Sequence, residues 1–298
     1  MLEYGRIHRH RVDGDIHQHG AGAHQRGDGT GEIMVMPELN RIYQGDCLEI
    51  MKGWPDGFID LVVTSPPYDN LRDYKGFSFD AGKILSEVFR VLKSGGVCVW
   101  VVGDQVINGS ESLTSFRHAL AAVECGLRLH DTMIYMKDGV VFPDKTRYAQ
   151  LFEYMFVFSK GSPKTFNPIL KHNIHAGKKV SGTDREPDGS LSKRMGKVYP
   201  DMSPLPNVWQ YSTGWMKNSK DPIAFEHPAT FPEKLAGDHI ISWSNEGDVV
   251  LDVFSGSGTT AIMAERLSRK WLGCEIEQTY VRLAQERIAA EQAQGKLF

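Results

Sequence analysis

The run Asp248-Val249-Val250-Leu251-Asp252-Val253-Phe254-Ser255-Gly256-Ser257-Gly258-Thr259-Thr260-Ala261 decides how this chain folds. Residues 248–254 read as a buried strand, short and β-branched. A Gly-x-Gly-x-x-Ala step then leads into a helix expected to reach about Ser268. A further strand over residues 271–276 carries Gly273-Cys274-Glu275, and Glu275 lies 17 residues past Gly258. Strand, glycine loop, helix, strand and acid together make a nucleotide-binding βαβ unit. The glycines let the backbone approach a ligand, and an acid at the next strand tip can accept from two ribose hydroxyls. No lysine follows the glycines, so this is not a phosphate-gripping loop. The glycines alone would also suit a plain glycine-rich helix start. The flanking strands and Glu275 favour the nucleotide.

Position then separates a nicotinamide enzyme from one that binds S-adenosylmethionine. Only 23 residues follow Glu275, too few for the remaining parallel strands. The sheet must be completed by strands that come earlier, so the nucleotide unit sits in mid-sheet although it is last in sequence. Its expected neighbour is Ile59-Asp60-Leu61-Val62-Val63-Thr64-Ser65-Pro66-Pro67-Tyr68. The first residues read as a buried strand. Two prolines, which lack amide donors, then forbid helix and sheet and leave a stiff loop at the strand's carboxyl end. Ligands bind at such ends in α/β folds. Ser65, the Pro66 carbonyl and the Tyr68 ring suit a flat heterocycle with an exocyclic amine, held by two accepted N–H bonds and by stacking. A proline-rich turn with a packed tyrosine is the competing structural reading.

The remaining elements follow from periodicity. Strands are expected over residues 42–45, 97–102, 129–136 and 152–158, the last two as a hairpin at the sheet edge. Helices are expected to about Lys52 and over residues 79–93, 112–125, 232–243 and 278–294, with Ser94-Gly95-Gly96 stopping the second. Residues 69–79 read as a loop beside the site. The 298 residues are 41% hydrophobic, with formal charge −3 and no apolar run of membrane-spanning length. No signal-peptide pattern opens the chain. Cys47, Cys98, Cys125 and Cys274 are far apart and none forms a C-x-x-C, so a reduced cytoplasmic setting is expected, without zinc or disulfides. Residues 1–35 are rich in His, Gly, Asp and Arg and are expected to be disordered or weakly ordered. The spacing of His8, His10, His17, His19 and His24 matches no metal site. Met34 or Met36 suits the start of the folded part, residues 36–298.

Residues 160–220 change character and lack a clean period. They hold eleven Lys and Arg against four Asp and Glu, +7 locally in a chain of −3. Phe166, Tyr199, Trp209, Tyr211 and Trp215 are interleaved. This is the composition of a phosphate-contacting insertion, expected over residues 160–225, with Lys178, Lys179, Arg185, Lys193, Arg194 and Lys197 as DNA-binding candidates. A long solvated surface insertion is the plainer alternative.

At this point the chain resembles the DNA amino-methyltransferases, which methylate N4 of cytosine or N6 of adenine. The likeness runs from about Asn40 to Ile288. Thr64-Ser65-Pro66-Pro67-Tyr68 resembles the family's catalytic motif, and the residues from Asp252 to Thr259 resemble its cofactor loop. Gly45-Asp46-Cys47 resembles the stretch that holds the cofactor adenine, Gly273-Cys274-Glu275 the ribose-binding tip, and His227-Pro228-Ala229-Thr230-Phe231-Pro232 the segment at the methionine end. The motif order resembles the permuted beta class, in which the insertion is the target-recognition region. The resemblance implies a Rossmann-like α/β fold: a mostly parallel seven-stranded sheet, an antiparallel edge hairpin and a circularly permuted motif order.

It further implies catalytic Ser65, Pro66, Pro67 and Tyr68. The cofactor S-adenosyl-L-methionine would be bound by Asp46, Cys47, Thr64, Thr230, Asp252, Phe254, Ser255, Gly256, Gly258, Thr259 and Glu275. Double-stranded DNA would be the partner, its target nucleotide flipped out. No metal and no membrane are expected. A homodimer and a separately acting cognate restriction endonuclease stay open. Serine at position 65, where many adenine enzymes carry Asp, favours cytosine, with N6 of adenine as the alternative. Ring-carbon methylation would need a cysteine after a proline, and none is present. A catalytically silent nucleic-acid-binding relative, and a methyltransferase acting on RNA or on protein glutamine, also stay open. Residues 1–35 match nothing in the family.

Overall fold

The computed structural model describes residues 34–67, 79–139, 145–194, 196–227 and 230–295. The expected disorder of the N-terminal segment and its histidines, the loop that follows Pro67, and Tyr68 itself lie outside the described residues. So do Pro228 and Ala229.

Eight strands form one sheet: β1 (Arg41–Gln44), β2 (Ile59–Thr64), β3 (Leu92–Val102), β4 (Arg128–Lys137), β5 (Phe152–Ser159), β6 (Val208–Tyr211), β7 (Val249–Asp252) and β8 (Lys270–Glu275). Their spatial order is β1-β8-β7-β2-β3-β5-β4-β6. The first five are parallel, β5 runs against both β3 and β4, and β6 is parallel to β4. The mixed, mostly parallel sheet agrees with expectation, but it has an eighth strand. Val208–Tyr211, from the insertion, pairs with Ile134–Lys137 and takes the edge, so the hairpin lies one strand inside it. This segment has one Trp and one Tyr facing the core beside Val208 and Gln210, which are exposed, too short a pattern to read as a strand beforehand.

Helices cover both faces. On one side α1 (Cys47–Lys52), α2 (Ala81–Val91) and α3 (Thr114–Glu124) bury residues such as Met51, Ile84, Leu85, Val88 and Ala122. On the other, α4 (Glu233–Trp243), α5 (Thr259–Arg266) and α6 (Gln278–Gly295) bury Leu235, Ile240, Ala261, Ile262, Val281 and Ala284. The apolar runs of β2, β3 and β7 fit strands covered on both faces. Helix α2 begins where Asp80 accepts from the Lys83 amide at 3.1 Å. It stops at Val91, before the expected Ser94-Gly95-Gly96, because β3 already starts at Leu92 and includes both glycines.

The insertion is more ordered than its composition suggests. Residues 170–172 pair with 202–204, Lys179 bridges to Val198, and 183–185 pair with 191–193, all antiparallel. Together these pairings make a two-stranded antiparallel ribbon interrupted by a turn over residues 174–177. It is rooted where β5 ends and β6 begins, at the sheet edge opposite the carboxyl tips of β2 and β7.

Candidate active site

Chain direction places the site. From β2 the chain passes through α2 to β3 on one side; from β7 it passes through α5 to β8 on the other. The two paths diverge between β7 and β2, and a crevice opens at such a switch point. The tips of β1, β8, β7 and β2 stand in a row, spanning about 14 Å at roughly 4.8 Å per step. Along that row come Asp46, Glu275, the glycine loop and Ser65, so the expected site residues on separate motifs converge on one edge.

A buried carboxylate joins the two central tips. Asp252 ends β7 and accepts from Thr64 Oγ1 at 2.6 Å, from Thr260 Oγ1 at 2.7 Å and from the Phe254 amide at 3.0 Å. Thr64 is the last residue of β2, and Thr260 lies in the first turn of α5. One side chain thus staples β7, β2 and the helix behind the loop. Burial raises its pKa above the usual carboxylate value, against the pull of those three donors. Asp252 and Thr64 therefore shape the crevice from within: the Asp252 oxygens accept from protein donors, and the Thr64 hydroxyl is spent donating to one of them. The staple fixes Ser65 and Pro66, which follow Thr64 directly; Pro66 is buried, while Ser65 and Pro67 are half-buried.

Glu275 does the same one strand over. Its Oε2 accepts from the Gly256 amide at 2.8 Å and its Oε1 from the Glu277 amide at 2.9 Å. Burial is the larger influence and raises its pKa, while these amides lower it. The Ile276 amide also bonds this carboxylate; with about four acceptor positions, it can still accept from a ligand hydroxyl.

The loop between them is built from backbone. Gly256 and Gly258 have φ of +48° and +79°. A Cβ at Gly256 would come within 3.0 Å of His227 Nε2, and one at Gly258 within 3.0 Å of the Ala284 Cβ. The Ser255 amide donates to the Cys274 carbonyl at 2.9 Å, and its hydroxyl to the Asp252 carbonyl at 3.2 Å. A Cβ at Gly273 would lie 2.2 Å from Ser255 Oγ, so β8 needs glycine there to admit the loop. Thr259 is buried as α5 begins.

At the end of the row, Gly45 donates to the Glu275 carbonyl at 2.9 Å, and exposed Asp46 caps α1 through the Leu48 amide at 2.7 Å. Cys47 is buried, and burial with Asp46 beside it pushes its thiol up to about 12. It packs and is not a nucleophile. Phe254 rests against Phe79 and Trp100, with ring centroids 5.8 and 6.1 Å away. Thr230 is half-buried, its carbonyl accepting from Asn218 Nδ2 at 2.9 Å. His227 stands edge-on to Tyr280, with ring centroids 4.3 Å apart.

The basic candidates group differently. Lys178, Lys179, Arg185, Lys193 and Lys197 are all exposed on the ribbon. Arg194 is also exposed but paired with Asp184 across it. Lys160 belongs to the body: its ammonium donates to the Phe89 and Leu92 carbonyls at 2.7 and 2.9 Å, closing α2. The interleaved aromatics are largely structural. Tyr211 is buried and donates to Asp238 at 2.9 Å, Trp209 lies 4.9 Å from the His239 ring, and Phe166 and Trp215 pack on Trp243 and Phe225. Sequence reading also missed Arg287. This fully buried guanidinium on α6 donates to Asp221, Glu233, Ser219 and the Ser257 carbonyl of the glycine loop.

The family model for DNA methylase (N6_N4_Mtase) matches residues 59–286. The orphan methyltransferase M.BamHII of Bacillus amyloliquefaciens is 52% identical over 244 residues, covering 78% of this chain and 89% of its own. The type II methyltransferase M.BglII of Bacillus subtilis is 30% identical over 271 residues, covering 87% and 72%. A DNA modification methylase of Thermus thermophilus, TTHA0409, solved in complex with S-adenosyl-L-methionine, superposes with TM-score 0.56 at 27% identity over 84% of this chain and 95% of its own. The cytosine-N4-specific PvuII DNA methyltransferase superposes with TM-score 0.58 at 24% identity over 84% and 90%, a likeness of fold.

Proposed function

The chain belongs to the DNA methylase family that acts on exocyclic amino groups, and from that premise we propose that it methylates N4 of cytosine at a specific DNA site. It is a DNA amino-methyltransferase, and its cofactor is S-adenosyl-L-methionine. The observation that carries the site assignment is the Thr64–Asp252–Thr260 staple, which holds Ser65-Pro66 beside the glycine loop across the β2/β7 crevice.

The residues present fit the cofactor. Gly45-Asp46 stands at the adenine end, Glu275 lies next to it for a ribose, and the glycine loop closes against His227 at the end expected to take the methionine part. When bound, the cofactor supplies an electrophilic methyl group on sulfonium sulfur. The residues do the rest. An exocyclic amine is a poor nucleophile because its lone pair is delocalised into the ring. Ser65 Oγ and the Pro66 carbonyl accept its two N–H bonds, turn it toward tetrahedral geometry and localise that lone pair. Placement of this kind contributes up to roughly 7–11 kcal/mol. A paired base cannot reach the crevice, so the nucleotide is flipped out. Tyr68, outside the described residues, is assigned the stacking role from sequence. Serine at position 65 favours cytosine over adenine.

A target-recognition role for residues 160–225 is supported by their local charge and exposure, with the ribbon rooted at the sheet edge opposite the crevice. A two-stranded antiparallel ribbon fits the major groove, and its exposed lysines and arginines suit the phosphates. A second copy is proposed for the uncovered sheet face beside α3. There Phe116, Leu120, Val123, Met136, Phe152 and Val208 are each 36–64% exposed, and they are joined through Tyr154 and Ile134. Such a patch suits the centre of a two-fold contact of about 800 Å² per partner. No described helix is long and apolar enough to cross a membrane; a DNA substrate supports a cytoplasmic enzyme. The test is to digest DNA from expressing cells to nucleosides and weigh them. N4-methylcytosine is expected, and N6-methyladenine in its place would overturn the base assignment.

A further inference from the structure

Arg287 is the fully buried charge that the methyl-transfer account does not use. Its side chain is 0% exposed, with Nε 2.7 Å from Asp221 Oδ2 and Nη2 3.1 Å from Glu233 Oε1. Nη2 also donates to Ser219 Oγ at 3.3 Å, and Nη1 to the Ser257 carbonyl. Three separate segments therefore meet on one planar fork. Ser257 lies between the two positive-φ glycines of the loop. Ser219 and Asp221 lie on the segment by which the chain returns from the insertion. Glu233 opens α4, and its other oxygen pairs with Arg266 at 2.8 Å, which in turn pairs with Glu291 at 2.6 Å.

The rest of the same helical stripe closes on the same place. Tyr280 stands against His227, and Ala284 and Ile288 lie where a Cβ on Gly258 would fall, at 3.0 and 3.6 Å. A loop with two glycines at positive φ has many unfolded alternatives. Something outside it must select the one conformation that points its carbonyl inward. Among described side chains, Arg287 is the one that donates to the Ser257 carbonyl. We infer that Arg287 is a positioning residue: it fixes the glycine loop in its cofactor-binding shape and ties that shape to the segment returning from the recognition ribbon. The inference rests on the assignment of that loop to S-adenosylmethionine.

Arg287→Lys keeps the charge beside Asp221 and Glu233 but has no planar fork to reach the Ser257 carbonyl as well. Asp221→Asn can keep the turn cap on Ile223 through Oδ1 but then sets an amide NH2 against Arg287 Nε, removing one arm. Calorimetry with S-adenosylmethionine, thermal melts of the cofactor-free protein and single-turnover methylation at saturating cofactor separate positioning from bulk stability. For Arg287→Lys the dissociation constant should rise about tenfold, and for Asp221→Asn about threefold. Saturated rates should stay within about twofold, while melting temperatures fall by several degrees with both variants still folded at the assay temperature. Should Arg287→Lys fail to fold, Asp221→Asn carries the test. Wild-type cofactor affinity in the folded variants, or a loss only in step with unfolding, overturns the inference while wild type still binds. A wild-type chain that does not bind the cofactor overturns the loop assignment itself.

Discussion

Replacing Thr64 by Val tests the staple with almost no change of shape. Thr64 is fully buried, β-branched and at the end of a central strand, so Val keeps its volume and strand preference. What is lost is the 2.6 Å hydrogen bond to a buried carboxylate. A protein hydrogen bond contributes about 0.5–1.5 kcal/mol net, and a buried polar group left unsatisfied costs about 1–3 kcal/mol, so urea unfolding near neutral pH should show a loss of about 1–2 kcal/mol. Thr64→Ser keeps the hydroxyl and should lose only about 0.8 kcal/mol, for one methyl.

The pH dependence follows from linkage. Burial already holds the Asp252 pKa above its ordinary value. A carboxyl raised in this way contributes stability below its unfolded pKa, and that contribution fades as pH rises through the folded pKa. Removing a donor raises the folded pKa further. The deficit of Thr64→Val should therefore be smaller below the folded pKa of Asp252 than above it. A loss under about 0.5 kcal/mol at neutral pH, or a deficit independent of pH, would refute the reasoning.

Cofactor affinity should weaken on acidification as Glu275 takes up a proton. Because its pKa is raised by burial, the midpoint should lie above that of an ordinary glutamate, and Glu275→Gln should flatten the calorimetric profile. Replacing Lys178, Lys179, Lys193 and Lys197 by Ser should weaken DNA binding and reduce its salt slope by about one for each lost phosphate contact. An unchanged slope would mean that the ribbon's charges only face water. Leu120→Glu should disrupt the proposed dimer, read as a lower sedimenting mass than wild type with methylation of saturating DNA retained; equal masses for both would remove that proposal. His239 is buried, with its pKa lowered to about 3, so it contributes stability above its unfolded pKa that is lost as pH falls. Wild type should lose about 1.4 kcal/mol from this group between about pH 7.5 and about pH 5.5; His239→Leu should abolish that part, as followed by denaturant titration.

The row of strand tips was legible in the sequence because each tip carries its own local chemistry. Prolines after Ser65, glycines after Phe254 and an acid at Glu275 cannot easily mean something else in that order. The insertion was legible only as charge. Its strands are exposed, polar and interrupted by turns, so no period-two apolar pattern marks the ribbon. The same lack of context left Trp209 and Tyr211 as aromatics interleaved among basic residues, when they face the core from the eighth strand. Arg287 was hidden for another reason. Its neighbours Val281, Ala284 and Ile288 announce an inward face, but the acids that make a buried guanidinium tenable lie 66 and 54 residues away in sequence.

The most direct measurement of the central claim is methyl transfer by the purified protein itself. Double-stranded DNA carrying its target site is incubated with methyl-labelled S-adenosylmethionine and either wild type or Ser65→Ala, and the digested nucleosides are resolved by mass. The account predicts label on N4-methylcytosine with wild type, and a strongly reduced single-turnover rate for Ser65→Ala at unchanged cofactor affinity. Label on N6-methyladenine, or a Ser65→Ala enzyme that transfers at the wild-type rate, would contradict it.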